Sequence, residues 1–125
     1  MSAFQDFRFP LNLQGYKVSA GGSADYIDFG PVPPGHLWIL TNLAILNDTN
    51  NSSRVRVSIE GFGEAHYLAD IHDPSDQRVY NVNETYYIPE GRTLRVRWVG
   101  STSSDVLHAY MQGFDVIQPE GAKHA

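Results

Sequence analysis

"YYIPEGRTLRVRWVGSTSSD", residues 86–105, is the stretch whose reading decides the fold. A turn at Pro89-Glu90-Gly91 leads into a run where Leu94, Val96 and Trp98 alternate with Arg95 and Arg97. A second turn of small residues closes it. A period of two marks a half-buried strand, with one face on a core and the other turned outward. The stretch therefore predicts turn, strand, turn. It also poses a question: what two outward arginines face in a chain whose net charge is −5.

The same pattern extends in both directions. Breakers recur at Gly21, over 30–35, 47–53, 60–64, 73–76, at Gly91 and over 100–105. Between them, strands are expected over 16–20, 25–29, 36–46, 54–60, 64–70, 78–82, 85–88, 92–99 and 106–117. Val55, Val57 and Ile59 alternate with Arg54, Arg56 and Ser58. The run 36–46 is apolar on both sides, with Leu37, Ile39, Leu43 and Ile45 on one and Trp38, Leu40, Ala44 and Leu46 on the other. Such a strand is expected to be covered on both faces. No ten-residue stretch carries helical periodicity free of breakers, so a βαβ architecture is excluded. The expected fold is all-β: an antiparallel two-sheet β-sandwich, jelly-roll-like, with an extended N-terminal arm.

The 125 residues fit one domain. An arm is expected over 1–14, where Phe4, Phe7, Phe9, Leu11 and Leu13 surround Pro10. The sandwich is expected over 15–118 and a flexible tail over 119–125. No cysteine is present, so there is neither a disulfide framework nor a thiolate metal site. The first residues lack a basic start followed by an apolar run, so no signal peptide is expected. No apolar run reaches the roughly 18 residues of a membrane span. Sequons at Asn47, Asn50, Asn51 and Asn83 read as turn chemistry. The acids are scattered, and no concentrated basic footprint for nucleic acid exists.

Four sets of residues could carry chemistry. His66, Asp70, His72 and Asp73 share parity in part and offer ligands for a divalent metal, against which stands a plain strand end with an Asp-Pro turn. No Gly-x-Ser-x-Gly elbow, phosphate loop or dinucleotide fingerprint occurs, and Glu60, Glu64 and Asp115 read as surface acids. No catalytic residue, cofactor or metal site is expected. Trp38 and Trp98 read as core, while Tyr67, Tyr80, Tyr86, Tyr87 and Tyr110 suit an edge or an interface. Arg54, Arg56, Arg95 and Arg97 would form one patch if their strands share a sheet. Their carboxylate partners would lie on the same chain or on a neighbour.

"PVPPGHLWILTNLAILND" (31–48), "YYIPEGRTLRVRW" (86–98) and "GSTSSDVLHAYMQGFDVI" (100–117) together resemble small tailed-bacteriophage virion structural proteins. The resemblance covers residues 31–118. It implies a jelly-roll sandwich and a non-enzymatic role in capsid decoration or stabilisation, or in neck or tail. It also implies a symmetric homo-oligomer, with a trimer favoured, whose partners are the major capsid protein or another virion protein. The location it implies is the virion, assembled in the host cytoplasm, with no direct contact to nucleic acid or membrane. The interface would draw on Phe4, Phe7, Phe9, Leu11, Arg54, Arg56, Arg95 and Arg97. Two other readings stand beside it: a tail-fibre or carbohydrate-binding module, and a small metal-dependent enzyme.

Overall fold

A computed structural model describes residues 8–21, 25–50, 52–72, 74 and 78–118. Among these there is no helix, and nine strands follow in order: β1 (Arg8–Val18), β2 (Asp25–Phe29), β3 (His36–Asn47), β4 (Arg54–Gly61), β5 (Glu64–His72), β6 (Tyr80–Val82), β7 (Tyr86–Pro89), β8 (Thr93–Val99) and β9 (Val106–Ile117). They form two antiparallel sheets packed face to face. The first has the order β1-β9-β3-β6, with β7 also paired to β3; the second has the order β2-β8-β4-β5. The pairings nest: β1 with β9, β2 with β8, β3 with β6 and β7, β4 with β5. The chain is thus a long two-stranded ribbon, and the contacts β3–β9 and β4–β8 roll it into a sandwich.

The core lies between the sheets, where the alternating side chains meet. Leu94, Val96 and Trp98 of β8 and Val55 and Val57 of β4 are all but fully buried. Opposite them sit Trp38, Leu40, Leu43 and Ile45 of β3 and Leu107, Ala109 and Met111 of β9. The turn before β8 closes through Arg92 N–H donating to the Pro89 carbonyl at 3.2 Å, with Gly91 at φ 79°. That left-handed conformation favours glycine.

Two features differ from the sequence reading. The arm expected over 1–14 does not reach residue 14. From Arg8 onward the chain is β1, paired along its whole length with β9, and Leu11 and Leu13 pack on the core. Pro10 is tolerated because β1 is an edge strand, where a missing N–H need not interrupt a ladder. Residues 1–7, with Phe4 and Phe7, and the tail 119–125 lie outside the described residues.

The second difference is the phase of β3. The register shifts between Leu40 and Asn42, so Thr41 is an extra residue, a β-bulge. Trp38 and Leu40 point inward before it, and Leu43 and Ile45 after it. The two faces read from strict alternation therefore exchange halfway along. On the outer side Ile39 is buried, while Leu37, Ala44 and Leu46 are half-buried.

Candidate functional site on the outer sheet faces

The second sheet gathers all four arginines on its outer face. β4 and β8 are neighbours, and Arg56 stands directly opposite Arg97. Rows run across the sheet as Tyr26–Arg97–Arg56–Asp70 and Asp28–Arg95–Ser58. Two of the arginines find carboxylates on their own chain. Arg95 grips Asp28 through Nε at 2.8 Å and Nη2 at 3.0 Å, and reaches Glu60 at 3.3 Å. Arg54 holds Asp70 in the same two-pronged way, with Nε at 2.7 Å. These are charge-assisted fork pairs. The hydrogen bond from Arg54 holds the Asp70 carboxyl below its ordinary pKa, and the bond to Asp28 raises that of Arg95.

The other two are less well served. The Arg56 guanidinium lies over the Tyr67 ring, 3.8 Å from its centroid. Its Nε is 3.9 Å from Asp70 Oδ2, beyond hydrogen-bond reach, and is buried without an acceptor. Arg97 forms no ion pair or hydrogen bond among the described residues. Among the described residues, four guanidinium groups thus share three carboxylates, Asp28, Glu60 and Asp70.

The outer face of the first sheet is of opposite character. Antiparallel sheets commonly turn a polar face to water, yet this one carries Tyr16 at 63%, Val79 at 51% and Tyr87 at 62% exposure. Tyr16 stands opposite His108 on β9, with the rings edge to face at 5.4 Å. These two, with Gln14, Leu46, Val79 and Tyr110, line an open depression of about 650 Å³. At the far end Phe114 lies between Pro10 and Ile39 in register, with the Arg8 guanidinium 5.1 Å from its ring centroid. Of the expected interface residues, Phe9 and Leu11 share the inward face of β1; Leu11 packs on the chain's own core, while Phe9, near the start of the strand, is exposed.

Sequence reasoning passed over Tyr16, Val79 and His108. The signal was present in β1, where Pro10, Asn12, Gln14 and Tyr16 alternate with Leu11, Leu13 and Gly15. Assigning residues 1–14 to an arm hid it.

The His66–Asp73 set is split. β5 carries a second bulge at Leu68, since Val57 faces Ala69 and Ser58 faces Tyr67. The shift moves His66 to the other face from Asp70 and His72. His66 sits 3.3 Å from Glu64, Asp70 is engaged by Arg54, and Asp73 lies outside the described residues. Among the described residues no group of three or more His, Asp or Glu side chains is placed to hold a metal ion. Trp38 and Trp98 are core. Tyr67 and Tyr87 are exposed, and Tyr80, Tyr86 and Tyr110 are half-buried.

One polar cluster is buried at the end of the sandwich. Asp105, with no exposed surface, accepts hydrogen bonds from Asn47 Nδ2 at 3.0 Å, Asn50 Nδ2 at 2.6 Å and the Thr102 N–H at 2.8 Å. Asn47 Oδ1 accepts from the N–H groups of Thr49 and Asn50, which is the turn chemistry its sequon suggested. Burial pushes the Asp105 pKa up, but the three hydrogen bonds outweigh it and leave the carboxyl below its ordinary value.

No protein-family model matches the chain, and no curated protein matches it. Among solved structures, that of infectious bursal disease virus, Gt strain, matches at 12% identity with a TM-score of 0.34. The match covers 99% of this chain and 45% of that one, so this chain spans less than half the length of that one.

Proposed function

We propose that this protein is a non-enzymatic structural component of a bacteriophage virion, a decoration or stabilisation protein that binds the capsid exterior as an oligomer. The observation that carries the reading is the apolar outer face of the β1-β9-β3-β6 sheet, with Tyr16, Val79 and Tyr87 more than half exposed. Large apolar side chains exposed on one face mark an interaction surface, here in two groups on either side of the polar row Asn12–Gln112–Asn42. Burying it against a shell contributes roughly 25 cal/mol per Å² of apolar area before ordering costs are subtracted. The nested strand pairing supports a jelly-roll reading of the sandwich, and the sequence resemblance supports the virion. On this reading the partners are further copies of the chain, in a trimer, and the major capsid protein. Residues 1–7, with Phe4 and Phe7, would reach to a neighbour.

The test is attachment to purified shells. The double variant Tyr16→Glu/Val79→Glu places two charges on the face without touching the core. It should melt within a few degrees of wild type and lose shell attachment at least tenfold. Undiminished attachment would remove the proposed face.

A second reading, a carbohydrate-binding module, is favoured by one feature. The depression combines the rings of Tyr16, His108 and Tyr110 with the Gln14 amide, groups that suit stacking on and hydrogen bonding to a sugar. A glycan array is the direct check. A signal that Tyr16→Ala abolishes would favour this reading over shell attachment, and a blank array would end it.

A further inference from the structure

The inventory of charged partners leaves two positions open, and they are of opposite sign. On the second sheet, Arg56 and Arg97 face each other across adjacent strands. Neighbouring side chains there stand about 5 Å apart, and like charges directly opposite destabilise the sheet. The nearby carboxylates are already engaged, Asp70 by Arg54 and both Asp28 and Glu60 by Arg95. Every other described acid also has a partner: Asp25 with Ser19, Glu64 with His66, Glu84 with Tyr86, Glu90 with Gly35, Asp105 with Asn47 and Asp115 with His36. The exception is Asp48. It is exposed, and among the described residues its carboxylate has neither ion pair nor hydrogen bond. It sits beyond the end of β3, its own N–H fixed to the Val106 carbonyl at 2.9 Å.

We propose that the Arg56–Arg97 pair receives the Asp48 carboxylate of a second copy of this chain. One carboxylate has two oxygens with several lone-pair sites, so it can accept from two guanidinium groups on neighbouring strands. Arg56 is already set over the Tyr67 ring, so part of its ordering is accomplished before association. The contact joins a loop at the end of one copy to a sheet face of the next. Made in one direction only, it is heterologous and closes into a ring when the rotation allows; made reciprocally, it closes a two-fold dimer. It also relieves the two central arginines of their mutual repulsion, which among the described residues only the long contact of Arg56 with Asp70, 3.9 Å, begins to do. The inference rests on the oligomer named above, yet uses a different surface from the one proposed to meet the shell.

The experiment is sedimentation of the full chain at several concentrations in about 0.1 M salt, alongside shell attachment. Asp48→Lys and Arg97→Glu should each weaken self-association at least tenfold. The pair Asp48→Lys/Arg97→Glu, which reverses the contact, should recover most of it. Melting of Asp48→Lys should match wild type, since the residue is exposed. Arg97→Gln should melt at or slightly above wild type, since one of two opposed charges is gone. A monomer at every concentration, unchanged association in the single variants, or no recovery in the double variant overturns the contact. So does phosphate binding by a monomer that Arg56→Gln/Arg97→Gln abolishes, because the pair would then serve a small anion. If copies associate through Asp48 and Arg97 but no shell is bound, the virion reading falls and this contact stands. If shells are bound and Asp48→Lys changes nothing, the reverse holds.

Discussion

At the scale of single residues, Asp105 shows how a buried charge is kept. Its three donors come from Asn47, Asn50 and Thr102, and the first lies 58 positions away in sequence. Sequence reading saw only a small-residue turn ending in Asp, because the asparagines that complete the site arrive through folding of β3 against β9. Removing the acceptor leaves buried donors unpaired. Asp105→Ala should therefore cost about 2–4 kcal/mol in urea unfolding at pH 7. Asp105→Asn keeps the volume but presents an NH2 group to an Asn47 or Asn50 NH2 group, and should also destabilise. The pH dependence follows from the direction of the pKa change. The folded value lies below the ordinary carboxylate value of roughly 3.9. The contribution is thus complete above that pH and is lost as pH falls through the folded value. Between about pH 5 and pH 3, stability should fall more steeply in wild type than in Asp105→Asn. Parallel slopes would show that this carboxylate is not what the acid titrates.

At the scale of elements, legibility depended on contrast between faces. In β8 and the first half of β4, apolar residues alternate with arginines, so the inward sets Leu94, Val96, Trp98 and Val55, Val57, Ile59 could be read directly, and they are buried. In β3 both faces are apolar. Alternation there carries no phase, and the bulge at Thr41 exchanges the faces without any mark in composition. The partner strand does carry a mark. Gly113 stands opposite Leu40, where a side-chain carbon would run into the Ile39 carbonyl. Only glycine fits so close an approach of backbone. Gly113→Ala should force β9 away from β3 and cost about 1–3 kcal/mol or more, as overpacking does. A chemical-denaturation midpoint equal to wild type would mean that the bulge can relax around a methyl group. The bulge at Leu68 was equally silent, and it is what separates His66 from Asp70 and His72. Sequence spacing does not encode that register.

At the scale of the whole molecule, the sandwich has two outer faces that obey different physics. The β1-β9-β3-β6 face is aromatic and apolar, while the β2-β8-β4-β5 face carries guanidinium groups in excess of their carboxylates. That distinction answers the question set by Arg95 and Arg97. Arg95 is neutralised within the chain, whereas Arg97 has no ion pair among the described residues. Salt separates the two surfaces. Contacts between exposed charges are screened over about 10 Å at 0.1 M salt and about 3 Å at 1 M. Apolar burial is not weakened by screening, and excluded anions such as sulfate strengthen it. Raising sodium chloride from about 0.1 M to about 1 M should therefore disperse copies of the chain held through Arg56, Arg97 and Asp48. Sodium sulfate at equal ionic strength should disperse them as well, because both salts screen alike. Shell attachment through Tyr16 and Val79 should survive the chloride and tighten in the sulfate. Light scattering reports the first equilibrium and co-sedimentation with shells the second. If chloride releases the protein from shells while copies stay together, the roles assigned to the two faces are exchanged.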